Sequence, residues 1–123
     1  MLRYENIWEE NGVYRKYYGE LTWGSVIDAV EEVEGDARFD HIRYVLNDYF
    51  AVTSVNLSDY DLKKIAAIDS VASTYNKNIK IAQVTTRQDV IDVVSTYADR
   101  LKEDSYKTGI FSSLSEARKW AEE

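Results

Sequence analysis

Few side chains in this chain of 123 residues could carry out catalysis. His41 is the only histidine, and the chain has no cysteine. A catalytic triad needs a nucleophile, a base and an orienting group in contact, and zinc favours several nitrogen or sulfur ligands. Glycine-rich phosphate-binding motifs are also absent from the sequence. We therefore expect no catalytic residue, no metal site and no cofactor.

Carboxylates are the exception, because 22 Asp and Glu residues stand against 15 Lys and Arg residues. Two carboxylates buried side by side can perform acid–base catalysis, and an enzyme of this kind is one hypothesis for the chain. Most of the acids fall on the polar faces of predicted helices, where charges are usually solvated. Asp69 differs, since its spacing from Leu62 and Ile65 turns it toward the inner face. We interpret it as a boundary residue that reaches water, because carboxylates are rarely fully buried.

The overall charge and hydropathy narrow the classes of partner. The net charge of −7 repels phosphate backbones and anionic lipid headgroups, so we expect no nucleic-acid binding. No apolar run approaches the length of a membrane span, and the N-terminus lacks a signal-peptide pattern. The absence of cysteine fits a reducing compartment, and we expect a cytoplasmic protein without integral membrane association.

The first half of the chain predicts a hairpin, a helix and a strand. Asn11-Gly12 suits a two-residue type I′ turn between strands 3–10 and 13–21, which would place Trp8 opposite Arg15. Thr22 can cap a helix that runs to Glu34, with Gly35 ending it in the left-handed conformation. The apolar segment 42–46 predicts an inner parallel strand, and 51–57 is predicted as a loop.

Alternating elements continue to the end of the chain. Ser58 can cap a second helix, segment 79–84 is a strand, and Thr85 with Gln88 predicts a capping box for a helix to Asp104. A last strand at 107–111 precedes a helix capped by Ser113. The order ββαβαβαβα predicts a single α/β domain over 1–123, with three crossovers, four helices and a mostly parallel five-stranded sheet. Strand 1 would be its antiparallel edge.

The segment between Asn47 and Tyr60 is the first candidate site. Sites in open α/β sheets gather beyond the carboxyl ends of parallel strands, and this segment is predicted to lead from such an end into a helix N-terminus that favours anions. Ser54 and Ser58 would form a phosphorylatable or anion-binding rim. A purely structural role, as the N-cap of the following helix, would also explain why a serine stands at position 58.

Aromatic residues give the second candidate site. Tyrosine and tryptophan are enriched at interfaces, and apolar pockets take small ligands with few polar anchors. The candidates for an apolar pocket or an interface are Trp8, Tyr17, Trp23, Tyr44, Tyr49 and Phe50. The exposed edge strand at 3–10 would also allow a homodimer through edge pairing.

Two segments carry a family resemblance. The runs Lys80–Val84 and Gly109–Trp120, the latter closing on Phe111 and then Glu116-Ala117-Arg118-Lys119-Trp120, resemble the SpoIIAA-like branch of the STAS superfamily. The resemblance implies a β-α superhelix and a non-enzymatic role. In that superfamily anti-sigma-factor antagonists bind a partner kinase and are switched by serine phosphorylation. Ser58, in Asn56-Leu57-Ser58-Asp59, is the nearest match to the phosphorylated serine, although it lacks the preceding Asp and the following Gly of the family motif.

Two functional hypotheses follow besides the enzyme. The first is a regulatory or protein–protein interaction module of SpoIIAA-like type that binds a protein partner. The alternative is a module that binds a small apolar or amphipathic, lipid-like ligand in a pocket between the sheet and the helices.

Overall fold

The computed structural model describes residues 2–123, and these residues form the predicted succession of strands and helices. The strands are β1 (Tyr4–Trp8), β2 (Gly12–Thr22), β3 (Tyr44–Asn56), β4 (Lys80–Val84) and β5 (Lys107–Phe111). The helices are α1 (Trp23–Glu34), α2 (Asp59–Ala72), α3 (Gln88–Arg100) and α4 (Leu114–Ala121), with a 3-10 turn at Ala37–His41.

The strands form one sheet in the order β1-β2-β3-β4-β5. β1 pairs with β2 in the antiparallel direction, and the other three pairs are parallel. The α/β class, the five-stranded sheet with its antiparallel edge and the four helices are therefore confirmed. Within residues 2–123, no helix combines the length and apolar character needed to cross a membrane.

Helices cover both faces of the sheet. Tyr17 and Tyr49 belong to a face packed against buried side chains of α1, α2 and α3. Leu46 and Ala82 belong to the opposite face, where α4 contributes Ala117 to the apolar cluster. This division follows from the alternation of side chains along a strand. The three-helix side encloses the larger part of the core and contains the site described below.

The first hairpin differs from its prediction in both register and turn. Trp8 pairs with Val13, and Asn6 rather than Trp8 lies opposite Arg15. A type I′ turn at Asn11-Gly12 was wrong, because Gly19 is the one residue with positive φ among those described. Gly12 instead lies within β2. A Cβ there would come within 2.5 Å of the Tyr44 ring, so the position needs glycine for close approach and not for a turn.

β3 is more than twice as long as the predicted strand, and the predicted loop at 51–57 is wrong for residues 51–56. The extra length of β3 is explained by its pairing with β2. β2 continues to Thr22, and its last residues pair with the end of β3, Leu21 with Val55 and Thr22 with Asn56. A long partner strand offers unpaired backbone groups, and extension of β3 satisfies them.

Helix ends agree with the predictions at some positions and differ at others. Thr22, Ser58 and Ser113 cap α1, α2 and α4 through their side-chain oxygens. Gly35 keeps right-handed backbone angles, so its left-handed assignment was wrong. The Thr85 capping box was also wrong. α3 begins only at Gln88, and the Thr85 hydroxyl accepts a hydrogen bond from the Arg87 amide instead.

Candidate functional site

Three polar side chains cross the middle of the sheet on its three-helix side. Arg15 of β2 pairs with Asn47 of β3, which pairs with Gln83 of β4. All three residues are buried. The Asn47 amide nitrogen donates to the Gln83 side-chain oxygen at 3.0 Å, and the Tyr49 hydroxyl donates to the same oxygen at 2.7 Å. This polar row forms the floor of the site.

Arg15 is a buried cation with neutral partners. Its Nε donates to the Asn6 side-chain oxygen at 2.7 Å, while Nη1 and Nη2 donate to the Asn47 side chain and the Ala29 carbonyl at 3.3 Å. None of the salt bridges among residues 2–123 includes Arg15, so no described carboxylate oxygen lies within 4.0 Å of it. A guanidinium has five N–H donors. One donor on each terminal nitrogen is therefore left over by these bonds.

Two carboxyl groups meet above the polar row. Glu34 is the last residue of α1, and Asp69 lies on α2 with 5% of its surface exposed. Burial and the hydrogen bond with Asp69 raise the pKa of Glu34 to about 9. Burial also raises the pKa of Asp69, against the opposing effects of Glu34, Tyr97 and Arg15. Glu34 therefore keeps its proton at neutral pH, since neighbouring like charges disfavour double ionisation.

The earlier interpretation of Asp69 as a residue that reaches water is wrong, although its inward tilt is confirmed. The Tyr97 hydroxyl of α3 donates to the Asp69 carboxyl at 2.5 Å. α2 and α3 pack closely together, and their contact closes off the carboxyl from solvent. Two inward carboxyls thus meet in one place, which is the arrangement the enzyme hypothesis needs.

Tyr106 adds an unused hydroxyl to the same place. The residue precedes β5 and is only 7% exposed, and within the described part of the chain its hydroxyl has no hydrogen-bond partner. Burial, followed by the charges of Asp69 and Glu34, raises its pKa above the usual range. A buried hydroxyl without a partner costs about 1–3 kcal/mol. It is therefore a group that a bound molecule or water would satisfy.

These groups line a cavity of about 70 Å³ between the sheet and helices α1–α3. One water needs about 10–15 Å³ of such space, so the cavity has room for several. Its aromatic wall is the pair Tyr17 and Tyr49, whose rings stack with centroids 5.3 Å apart. Its polar lining is Arg15, Glu34, Asn47, Asp69, Gln83, Tyr97 and Tyr106. The remaining lining is mainly aliphatic.

An outer groove lies next to the cavity. It has a volume of about 630 Å³ and is lined by the exposed half of α2 and the 3-10 turn, including Val71 and Tyr75. Glu34 and Phe39 line both the groove and the cavity. These two side chains therefore separate the buried polar groups from the surface. Tyr75, which follows α2, is 76% exposed.

The basic and acidic groups of the cavity are separated. Arg15 is a cation on the sheet side, and Glu34 and Asp69 are acids on the helix side of the same space. Arg15 lowers the pKa of both acids through its charge, although it lies beyond 4.0 Å from them. Such a site can bind a polar molecule between the charges. An acid pair in which Glu34 keeps its proton can also donate or accept a proton.

The aromatic residues predicted to form one pocket lie in several places. Tyr17 and Tyr49 line the cavity. Trp8 lies under the Arg38 guanidinium, at 3.9 Å from the ring centroid, and Trp23 lies under the Lys64 ammonium, at 4.0 Å.

The other two predicted aromatics belong elsewhere. Tyr44 packs on the α4 side of the sheet and donates to Glu9, while Phe50 is 52% exposed. The six residues therefore do not share one pocket in this structure, and only Tyr17 and Tyr49 contribute to the cavity described above.

The two serines of the predicted anion rim lie in different settings, Ser54 in a strand and Ser58 in the short connection between β3 and α2. Ser54 lies within β3 and pairs with Glu20 of β2. Ser58 is exposed and makes a reciprocal capping box with Asp61, with both hydrogen bonds at 3.0 Å. Acidic side chains at Asp59 and Asp61 occupy the first turn of α2. An anion at Ser58 would therefore meet two negative charges.

Sequence reasoning missed most of the cavity residues, yet a signal for three of them was present. Asn47 and Gln83 interrupt apolar strands, and Arg15 alternates with the apolar Val13 and Tyr17. A polar residue in the inward phase of a strand must find hydrogen-bond partners in the core. Glu34 carried no such signal, because its partner Asp69 is 35 positions away in sequence.

A comparison with known proteins leaves this site without a family context. The sequence matches no family model, and a search of curated proteins also finds no match.

Proposed function

We propose that this chain is a non-enzymatic binding module that takes a small polar molecule into the cavity between the sheet and helices α1–α3. The Tyr106 hydroxyl carries this proposal, because it is buried without a partner beside two carboxyls and a guanidinium that all line the same space. Native proteins satisfy nearly all of their buried polar groups. A bound molecule would supply the missing partner.

The lining also favours a polar ligand over the apolar or lipid-like ligand suggested by the sequence. A cavity of about 70 Å³ suits a molecule of a few non-hydrogen atoms, whereas sites for larger ligands span about 300–1,000 Å³. An acyl chain would leave the Tyr106 hydroxyl and the two remaining N–H groups of Arg15 without partners, and burying polar groups unpaired is costly. Glu34 and Phe39 line both the cavity and the outer groove, so a ligand that enters from the groove would pass these two side chains.

A fragment titration followed by protein NMR tests the proposal. The fragments are glycerol, acetamide, acetate, ethylamine and glycine, each raised to about 10 mM, which saturates a Kd of about 1 mM. We expect at least one fragment to give saturable shifts of the amide signals of Glu34, Asp69 and Tyr106. We also expect the fragment to remain chemically unchanged after long incubation.

A filled cavity provides the control. Val94 lines the cavity, so Val94→Phe should abolish the saturable shifts, whereas Val71→Phe on the outer surface should leave them intact. Circular dichroism shows whether Val94→Phe stays folded, and Tyr106→Phe gives a second, smaller change if it does not. Saturable shifts absent for every fragment, or equal in wild type and a folded Val94→Phe variant, would mean that the cavity holds water alone.

The outer groove favours a second function, the docking of a basic amphipathic helix from a protein partner. Val71 is 63% exposed and Tyr75 is 76% exposed, which is unusual for large apolar side chains that lie so close together. Asp40 gives the groove an acidic rim. Helix-in-groove binding uses an apolar face in this way, and the rim would select lysine or arginine beside it.

Two model peptides separate this second function from the first. A labelled amphipathic Leu/Lys helix should bind in fluorescence anisotropy, and a Leu/Glu helix of the same pattern should not. Val71→Glu should weaken the Leu/Lys complex, while the same change at exposed Tyr60 outside the groove should have little effect. Equal binding of both peptides, or no effect of Val71→Glu, would refute docking at the groove.

A further inference from the structure

The cavity presents two opposite charges that do not touch each other. Arg15 lies at the sheet and is 4% exposed, and the Glu34–Asp69 pair lies on the helices. Both line the same space, with more than 4.0 Å between any of their charged atoms. Buried opposite charges normally pair directly, because each then offsets the desolvation of the other. The gap suggests that a third group belongs between them.

The remaining N–H donors of Arg15 indicate which ligand group would bind at the Arg15 end of the cavity. One N–H on Nη1 and one on Nη2 have no partner among the hydrogen bonds described above. Two terminal N–H groups of one guanidinium match the two oxygens of a carboxylate in a bidentate arrangement. The neutral acceptors Asn6, Asn47 and the Ala29 carbonyl hold the guanidinium in place without neutralising it.

The other end offers acceptors for a cation. Glu34 and Asp69 carry carboxyl oxygens, and the Tyr106 hydroxyl oxygen has no partner within the described residues. A protonated amine has three N–H donors that point in different directions. Two carboxyl groups and one hydroxyl can accept all three. Asp69 keeps its hydrogen bond from Tyr97, which holds it in place.

Building on the proposed function, we propose that the cavity binds a small zwitterion, with its carboxylate on Arg15 and its ammonium between Glu34, Asp69 and Tyr106. The apolar side chains of the helices enclose the short hydrocarbon that joins the two charges. The volume of about 70 Å³ limits the ligand to the size of a short amino acid. The distance between the charges selects the chain length.

A series of probes of increasing length tests this assignment on the unmodified protein. Glycine, β-alanine and 4-aminobutyrate are titrated by NMR, together with the carboxylic acid, the amine and the neutral amide of the same chain length. We expect one zwitterion to bind at least tenfold more tightly than each of its three matched analogues. Its saturable shifts should appear at the amides of Arg15, Asp69 and Tyr106.

Variants of Asp69 and Arg15 test which residue binds each end of the zwitterion. Asp69→Asn removes a carboxylate while keeping an acceptor for Tyr97, and it should weaken the zwitterion at least tenfold. Asp99→Asn is the matched control, because Asp99 is an exposed residue of α3. Arg15→Lys keeps the cation but loses the paired donors, and should also weaken binding. The probe series on wild type decides the question if either variant fails to fold.

The outcomes separate this inference from the function on which it rests. If the amine, the acid or the amide binds as tightly as the zwitterion, the ligand class is wrong while a ligand-binding cavity stands. If Asp69→Asn and Asp99→Asn bind the zwitterion equally, the class is also wrong. If no probe of any charge gives saturable shifts at the cavity amides, both the class and the proposed function are overturned.

Discussion

Replacing Glu34 by glutamine should make the protein more stable at alkaline pH. Burial and Asp69 raise the pKa of Glu34 from 4.5 to about 9, while Arg15 opposes this rise and Glu31 adds to it slightly. Tyr106 lines the same cavity as Glu34. A group whose pKa is raised on folding stabilises the protein fully below pH 4.5, and this stability is lost as the pH rises toward 9. Glutamine cannot ionise, so Glu34→Gln removes that loss.

The size of the effect follows from the two pKa values of Glu34. Each pH unit between them changes the free energy of unfolding by about 1.36 kcal/mol. The interval from 4.5 to about 9 therefore corresponds to about 6 kcal/mol. Glu34 is only partly buried, and water screens part of the penalty. We expect about half, so the stability of Glu34→Gln relative to wild type should rise by about 3 kcal/mol between pH 5 and pH 9.

Urea denaturation followed by tryptophan fluorescence measures this difference at each pH, provided that the slope with urea stays constant. Glu103→Gln serves as the control, because it changes the net charge equally at an exposed position outside the cavity. Its stability should follow that of wild type at every pH. If Glu34→Gln and wild type lose stability in parallel from pH 5 to pH 9, Glu34 does not hold a proton in the folded state.

Three further substitutions test the packing and the ion pairs. Leu46→Ala should lower the free energy of unfolding by about 2–5 kcal/mol in urea denaturation, because Leu46 is completely buried. Gly12→Ala should lower it by about 1–3 kcal/mol, since the new Cβ would lie 2.6 Å from the Tyr44 carbonyl oxygen; an unchanged Tm would contradict this close approach. Arg118 hydrogen-bonds Glu9 at 2.8 and 2.9 Å and lowers its pKa, so the pair stabilises the protein above pH 4.5 and less as the pH falls. Arg118→Met should therefore be destabilised at pH 7 by about 1 kcal/mol, and the difference from wild type should shrink at pH 3.

The fold was largely predictable because local signals and topology agree. Thr22 and Ser58 begin helices through short-range hydrogen bonds, which the residue type alone indicates. The order of elements then limits the sheet to few arrangements, because parallel neighbours need a crossover between them. Features that depend on a partner strand were not predictable. The extension of β3 follows from its pairing with β2, and the β-branched residues Val52, Thr53 and Val55 are a weak local signal beside it.

The candidate site was less predictable, because it is assembled from distant parts of the chain. Asp69 was recognised as tilted inward, but its burial depends on the Tyr97 hydroxyl from another helix. Glu34 ends a helix whose last turn looks solvent-facing in sequence. The serine rim was predicted on the basis of a loop at 51–57, but residues 51–56 belong to β3. Ser54 therefore lies in the sheet and has no part in a loop beyond a strand end.

The polar row across the sheet also has a consequence for how the chain finds its fold. Side chains on a strand alternate between faces, so an alignment error of one residue between β2 and β3 would replace the partner of Arg15 with Leu46 or Asp48. The guanidinium would then lose the Asn47 oxygen and be buried with fewer acceptors. Misaligned sheets thus carry an energetic penalty that an all-aliphatic floor would not impose. In this protein the polar residues beneath the cavity therefore favour the native alignment of the strands.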